Sequence, residues 1–374
     1  MHDVIIIGAG PIGSGAARHA SMQGRTVTVI APHETTRDTH IVWSSHYDQG
    51  RITHRSARNM VLAHWANEAI AEYRTIEAQS GIEFYRPCGT LTLSASSAGF
   101  SYTQQRQQLE HDLAFHYDEL TPSELVQRFP MLSKNLPYSG LFDGPPSGII
   151  NPRQYVAAQL TCAINHGATH VNDVVTSLTP HTDYVALTTH AGNEYRAQHV
   201  IVAAGAYGGL CGLLPTPIAH TIKSEIVTLG EVHAETAAAL AAMPSMMVDC
   251  QSPIIEDAYL TPPVRYPDGK WYIKLGSNSI YDQLFDSQAA LTQWIRSGDR
   301  SATHDAQIAL LNELFATIEW QSFTSLPCVI TRTPTGVPEI TRVHQRVTAV
   351  VGCNGSLAKS GSVVGKLAVQ LMQS

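Results

Sequence analysis

The stretch VIIIGAGPIGSGAARHA, residues 4–20, runs from a four-residue apolar block into a glycine turn and then into a series of small residues. That order predicts a strand, a tight turn and a helix, the opening of a dinucleotide-binding βαβ unit. Gly8, Gly10 and Gly13 form G-x-G-x-x-G. The first permits the turn, the second lets a pyrophosphate approach the backbone, and the third lets helix and strand pack closely. Pro11 and Ile12 lie inside the fingerprint and count with it as cofactor-binding residues, because the pyrophosphate sits on free N–H groups at the helix N-terminus. A second strand is expected at residues 26–30, and an acidic residue at its end would normally hold the ribose hydroxyls. Ala31 stands there, followed by Pro32. Glu34 is the nearest carboxylate, with backbone groups as the other option. The fingerprint alone therefore does not separate FAD from NAD or NADP.

At 374 residues the chain has room for two domains and a sizeable core. The formal net charge of −7, with both signs interspersed, argues against nucleic acid or an anionic membrane surface as the main partner. No apolar stretch is long enough to span a bilayer, and the first strand starts at once, so a cytoplasmic protein without a signal peptide is expected. The six cysteines contain no C-x-x-C pair or metal-ligand spacing, so neither a disulfide framework nor a metal site is expected. Five read as small buried hydrophobes; Cys328 is distinct, for reasons given below.

Three segments look like parts of one nucleotide-binding layer: the opening βαβ, the stretch from residue 148 to the strand HVIVAAGAYG (199–208), and RVTAVVGCNGSLAKSGSVVGKLAVQL (346–371). In each a glycine-containing loop follows a strand, where doubly wound sheets bind ligands. The expected fold is α/β with an α+β second domain. A discontinuous Rossmann-like domain (1–80, 146–218 and 326–374) is interleaved with a substrate domain (81–145 and 219–325). The second domain reads as an antiparallel sheet with helices on one side. Within it, alternation along residues 271–275 places Tyr272 and Lys274 on one face and Ile273 and Leu275 on the other. A lysine in such a strand is expensive to bury, and desolvation lowers its pKa.

In their order along the chain these pieces resemble the flavin-dependent amine oxidases of the D-amino-acid oxidase superfamily, and within it the sarcosine oxidase and N-methyltryptophan oxidase group. The matching motifs are GAGPIGSGAARH (8–19), SSHYDQGRITHR (44–55), VIVAAGAYG (200–208), YIKLG (272–276), CVITRT (328–333) and GCNGSLAKSGSVVG (352–365). The resemblance implies FAD, with its adenosine half on the first βαβ unit and its isoalloxazine reached by the C-terminal loop and helix. It places Ser45, His46 and Arg51, Ala204 and Gly205, and Gly352, Asn354, Gly355, Ser356 and Lys359 among the cofactor contacts. In this group a cysteine followed by three residues and a basic one carries the flavin covalently through its 8α-methyl group. Cys328 matches that position, and Arg332 is expected to lower its thiol pKa.

The resemblance also assigns substrate-side roles. Lys274 resembles the lysine beside flavin N5, where positive charge helps oxygen accept its first electron. Lys359 matches a lysine that binds the substrate carboxylate. A second carboxylate partner should come from residues 51–55, where the group has two arginines three apart and this chain has them four apart. Alignment on Arg51 puts His54 at the second position, and sliding by one puts Arg55 there; the bidentate fork of arginine favours Arg55. Tyr259 matches an active-site tyrosine once a few extra residues are allowed between 262 and 270. Asn278 stands where sarcosine oxidase has histidine, so the substrate is not expected to be sarcosine itself.

The implied activity is an FAD-dependent oxidase, expected to be monomeric, acting on a secondary or cyclic amine that bears a carboxylate. Hydride would pass to flavin N5, leaving an imine, and molecular oxygen would be reduced to hydrogen peroxide. The alternatives are an FAD-dependent dehydrogenase, or a biosynthetic tailoring oxidoreductase on an amino-acid-derived ring with poor oxygen use. A flavin-binding structural or regulatory protein without turnover is disfavoured by the presence of both Lys274 and Lys359.

Overall fold

The computed structural model describes residues 1–35, 41–57, 59–95, 110–113, 116–250 and 252–373. Its first sheet is built on the opening strand, His2–Ile7, whose residues Val4 to Ile6 are fully buried. An uninterrupted run of β-branched residues suits the centre of a parallel sheet, which is covered on both faces. The parallel order is Thr169–Val171, Val27–Ile30, His2–Ile7, Glu194–Val202 and Val347–Val351. An antiparallel hairpin, Val175–Pro180 with Val185–Thr189, extends the N-terminal half of Glu194–Val202. Glu339–His344 pairs antiparallel with Val347–Val351. The strand expected at 199–208 ends at Val202 and gives way to a turn and a short helix, Tyr207–Leu210.

Helices Pro11–Met22 and Gly361–Gln373 cross on this sheet with their backbones in contact. A Cβ on Gly15 would lie 2.7 Å from Gly361 O, and one on Gly361 would lie 2.6 Å from Pro11 O. The fingerprint helix and the C-terminal helix therefore approach through glycines, which brings the loop before residue 361 beside the glycine turn.

The second sheet runs in the order Leu284–Phe285, Thr221–Val232, Trp271–Ser279, Ile255–Arg265, Ser245–Asp249, Thr90–Ser94, Ser139–Asp143 and Asp118–Leu120. Ser322–Arg332 pairs along the whole of Thr221–Val232. The sheet is not purely antiparallel as expected: Ser245–Asp249 and Thr90–Ser94 run parallel. The boundary drawn at residue 326 also falls inside the eleven-residue strand Ser322–Arg332. Cys328 therefore stands on the second sheet, opposite Glu225.

One face of this sheet is apolar. Ile273, Leu275 and Leu260 pack there with Leu310, Leu311 and Leu314 of helix Ser301–Leu314. Directly paired residues share a face, so the pairs Leu229–Lys274, Val227–Gly276, Tyr259–Gly276 and Glu225–Cys328 put Lys274, Tyr259, Glu225 and Cys328 together on the other. Asn278 and Arg332 follow on that face by alternation. A small third sheet, Arg51–Thr53, Gly148–Ile150 and Tyr85–Arg86, carries the 51–55 segment. Of the five cysteines expected to be buried, only Cys162 is; Cys88, Cys211, Cys250 and Cys353 are half-buried. No helix among the described residues is long and apolar enough to cross a membrane.

Candidate active site

The glycine turn has the geometry its sequence demands. Gly8 has φ +99°, and a Cβ there would lie 2.5 Å from Ala203 O. A Cβ on Gly13 would overlap Gly8 O, whereas one on Gly10 would meet nothing nearer than His46 Nδ1 at 3.9 Å. Gly10 thus borders open space, as a pyrophosphate-facing position must. The first helical hydrogen bond is Ser14 N to Gly10 O, which leaves the N–H groups of Ile12 and Gly13 outside the helical ladder. Pro11 at the first helical position gives up no donor.

Beside this turn lies a cavity of about 280 Å³ whose wall includes Ala9, Ala31, Glu34, His46, Arg153 and His170. Glu34 accepts two hydrogen bonds from Arg153 Nε, at 2.7 and 2.9 Å. Among the described residues Arg153 Nη1 is buried without a hydrogen-bond partner. A carboxylate and an orphaned guanidinium donor in one wall fit the hydroxyls and phosphates of an adenine dinucleotide. Arg153 was not expected from sequence, since it belongs to a helix, Pro152–Asn165, far along the chain. His46 is held neutral, its pKa lowered to about 3 by burial and then by Arg153 and Arg51.

The other glycine loops reach the same region. Gly205 has φ +56° and follows Ala204 at the end of strand Glu194–Val202. In the C-terminal loop Gly352 and Gly355 have φ +91° and +73°, and Asn354 has φ +49°. That loop is fastened to the end of Ser322–Arg332: Asn354 N donates to Thr331 O at 2.8 Å, and Thr333 N donates to Asn354 Oδ1 at 3.0 Å. Ser356 N closes the turn on Cys353 O. Ser45 Oγ donates to Val329 O on the same strand at 3.1 Å.

Where these loops meet the second sheet, the Asp48 carboxylate accepts from three side chains. Lys274 Nζ donates to its Oδ2 at 2.7 Å, Arg51 Nη1 donates to the same oxygen, and Tyr266 OH donates to Oδ1 at 2.7 Å. Lys274 Nζ also donates to Gly50 O. The lysine is fully buried, and its pKa is lowered to about 8, by burial first and by Arg51 second, with Asp48 opposing. The cations around Asp48 hold its carboxyl well below the usual range. Tyr259 stands over this group: Lys274 Nζ lies 5.3 Å from its ring centroid, and a Cβ on Gly276 would strike the ring. The glycine of YIKLG is thus the seat of Tyr259. Its OH donates to Glu225 Oε1 at 2.8 Å, and burial pushes the Glu225 carboxyl up. A register shift between Thr261 and Val264 takes up the extra residues of this hairpin.

Cys328 is buried in the same cluster, its thiol pushed up to about 12 by burial while Arg51 pulls the other way. The cation beside its sulfur is Arg51, whose Nη2 lies 3.5 Å from Sγ. This corrects the expectation for Arg332, which donates instead to Asn278 Oδ1 at 2.7 Å. Four residues along a strand is about 13 Å, so the C-x-x-x-R spacing sends the two side chains to different neighbours.

Of the two candidates in the 51–55 segment, the structure sets His54 rather than Arg55 beside Lys359. Lys359 Nζ lies 3.0 Å from His54 Nε2, both side chains buried. Arg55 instead binds Asp143, through Nε at 2.9 Å and through Nη2, and its backbone N–H reaches Ser147 Oγ. Strand Arg51–Thr53 ends before residue 54, so alternation did not settle which of the two would face inward. Burial lowers the Lys359 pKa to about 8, and it holds His54 well below its ordinary value, with Lys359 adding to that. Neutral His54 accepting from Lys359 carries its proton on Nδ1, which faces Ser56 Oγ at 3.1 Å. Tyr73 OH fixes the loop by donating to Lys359 O at 2.6 Å. Asp48, Tyr73, Asp143, Glu225 and Tyr266 were all missed in sequence. Only Asp48 lay inside a recognised motif.

A family model described as "FAD dependent oxidoreductase" (DAO) matches residues 3–371. The N-methyl-L-tryptophan oxidase of Yersinia pestis (strain Pestoides F) is 26% identical over 216 residues, a stretch covering 58% of this chain and 56% of the relative. The chain thus matches little more than half the length of that curated relative. Among solved structures, NikD, an amino acid oxidase essential for nikkomycin biosynthesis, superposes in its open form with a TM-score of 0.78 at 19% identity, covering 99% of this chain and 93% of that one. Glycine oxidase from Geobacillus kaustophilus gives 0.75 at 16% identity, covering 100% and 94%. With nearly its whole length under the family model, and a glycine turn and cavity that fit the nucleotide, the chain belongs to the DAO family of FAD-dependent oxidoreductases.

Proposed function

We propose that the chain is an oxidase of a secondary or cyclic amine that carries a carboxylate. The observation behind this reading is Lys359, a buried ammonium set against a neutral imidazole. No carboxylate lies within ion-pair distance of it among the described residues, and a buried cation without one is costly until an anion arrives.

In this reading Gly8, Gly10, Pro11, Ile12 and Gly13 cradle the pyrophosphate. Glu34, Arg153 and His46 hold the adenosine half, while Ala204, Gly205, Arg51 and the loop Gly352, Asn354, Gly355 and Ser356 hold the rest. Cys328 is the point of covalent attachment. Bound FAD supplies the redox chemistry, taking a hydride from the carbon next to nitrogen to leave an imine and passing electrons to molecular oxygen to give hydrogen peroxide. Lys359 and His54 bind the carboxylate and so orient the amine-bearing carbon. The cations Lys359, Arg51 and Lys274 favour the neutral, donor form of the amine. Lys274, fixed by Asp48 and Gly50, supplies positive charge for the oxygen half-reaction.

A panel of N-methyl and cyclic amino acids tests this. One is expected to bleach the bound flavin without oxygen, with prompt recolouring and peroxide release when air is admitted. If no amine bleaches it, the substrate class is wrong; if recolouring is slow, the oxidase assignment is wrong. The second reading, a dehydrogenase or tailoring enzyme with poor oxygen use, is favoured by one feature: Asp48 neutralises part of the Lys274–Arg51 charge.

A further inference from the structure

Beyond Tyr259, the same face of the second sheet carries another cationic group. Lys223 Nζ and Arg332 Nη2 both donate to Asn278 Oδ1, at 2.7 Å each. Asn278 Nδ2 donates to Asp257 Oδ1. This fixes the amide, since the reverse orientation would aim Nδ2 at two cations and Oδ1 at a carboxylate. Lys223 is paired with Asp282. Arg332 has no carboxylate within ion-pair distance among the described residues, and Asn278 is its one hydrogen-bond partner there. The four formal charges cancel, but they are polarised, and the positive pole is Arg332. Two cations converging on one carbonyl oxygen repel each other, and an anion on the open side of the guanidinium relieves that.

We propose that Arg332, backed by Asn278 and Lys223, binds a second anionic group of the substrate, making the substrate an amine dicarboxylate. One carboxylate lies at Lys359 and His54, as in the reading of that pair given above on which this inference rests, and the other lies at Arg332. Asn278 is on the strand of Lys274, and Arg332 on that of Cys328, each four residues further along the same face. Their Cα atoms therefore lie about 13 Å along the sheet from those of Lys274 and Cys328. A guanidinium with N–H groups unused by protein is matched to a planar carboxylate in a way an asparagine or a lysine alone is not.

The test is a binding titration of the FAD-loaded protein with two unreactive ligands, read from the shift in flavin absorption. Thiodiacetate and (methylthio)acetate share a thioether and one carboxylate and differ in the second. Thiodiacetate is expected to bind about 10–100-fold more tightly, the worth of one charge-assisted carboxylate contact. Arg332→Met should bring the two dissociation constants together, and Arg332→Lys should restore part of the gap, which a merely structural role would not do. Equal binding of both ligands by the wild type, or a gap that survives in Arg332→Met, overturns the inference while leaving the Lys359 reading intact. Binding of neither ligand overturns both.

Discussion

Replacing Lys359 with methionine is expected to stabilise the folded chain while destroying its hold on carboxylates. Methionine fills a similar volume without a charge, and the lysine it replaces has no carboxylate beside it among the described residues. A fall in pKa from 10.5 to about 8 corresponds to a penalty of at most about 3.5 kcal/mol, at about 1.4 kcal/mol per pH unit. Below pH 8 the ammonium is charged in both folded and unfolded chains, and the folded state bears the whole penalty. Between pH 8 and 10.5 the folded lysine gives up its proton while the unfolded one keeps it, so the penalty fades; above 10.5 it is gone. The advantage of Lys359→Met should therefore be greatest at pH 7 and nearly absent at pH 10.5. Urea midpoints of the two proteins, measured with FAD saturating in both, give the comparison, and shared tyrosine and cysteine titrations cancel in the difference. A variant less stable than wild type at pH 7, or a difference independent of pH, would refute the idea that Lys359 is a buried, uncompensated cation.

Arg55→Met should lose about 3–5 kcal/mol of stability, because it strands the buried Asp143 carboxylate, and should raise KM less than His54→Leu does; the reverse ranking would restore Arg55 to the carboxylate site. Wild type should keep its yellow colour in the pellet on acid precipitation, and Cys328→Ala should release all of it to the supernatant. Asp48→Asn removes the chief partner that holds the Lys274 pKa up against burial and Arg51, so the alkaline limb of flavin reoxidation should move to lower pH in a stopped-flow pH profile. Gly13→Ala drives a Cβ into Gly8 O and should leave the protein without retained FAD, as its absorption spectrum would show.

What the sequence made legible was local. The turn at Gly8 needs a positive φ, and Gly13 must touch Gly8 O, so these requirements are written into neighbouring letters. Strand alternation likewise separates Lys274 from Leu275. The misses share a different cause. Asp143 meets Arg55 across 88 positions, Asp48 meets Tyr266 across 218, and Glu225 comes to Cys328 through strand pairing. None of these distances leaves a periodic trace. Residues 54 and 55 lie just past the end of a three-residue strand, where the period that would have chosen between them stops. The motif with one extra residue therefore left open which of the two side chains would stand beside Lys359.

The two active-site lysines reach a similar pKa of about 8 by different routes, and the routes separate their uses. Lys359 is lowered by burial alone. Its partner His54 is neutral and offers a lone pair, so the positive charge remains available to any anion that enters. Lys274 is lowered by burial and by Arg51, and raised by Asp48, with two of its three donors directed to Asp48 and Gly50. An incoming carboxylate would have to compete with the Asp48 carboxylate already 2.7 Å from the ammonium. Lys274 is therefore a fixed field source rather than a ligand for substrate, and its charge beyond the sheet is that of the Arg51–Asp48–Lys274 group, net +1. A perturbation at Lys359 should consequently appear in substrate affinity, and one at Asp48 or Lys274 in the pH dependence of the flavin. If instead Lys274→Met raised KM for the carboxylate as much as Lys359→Met does, the division of labour between the two lysines would be wrong.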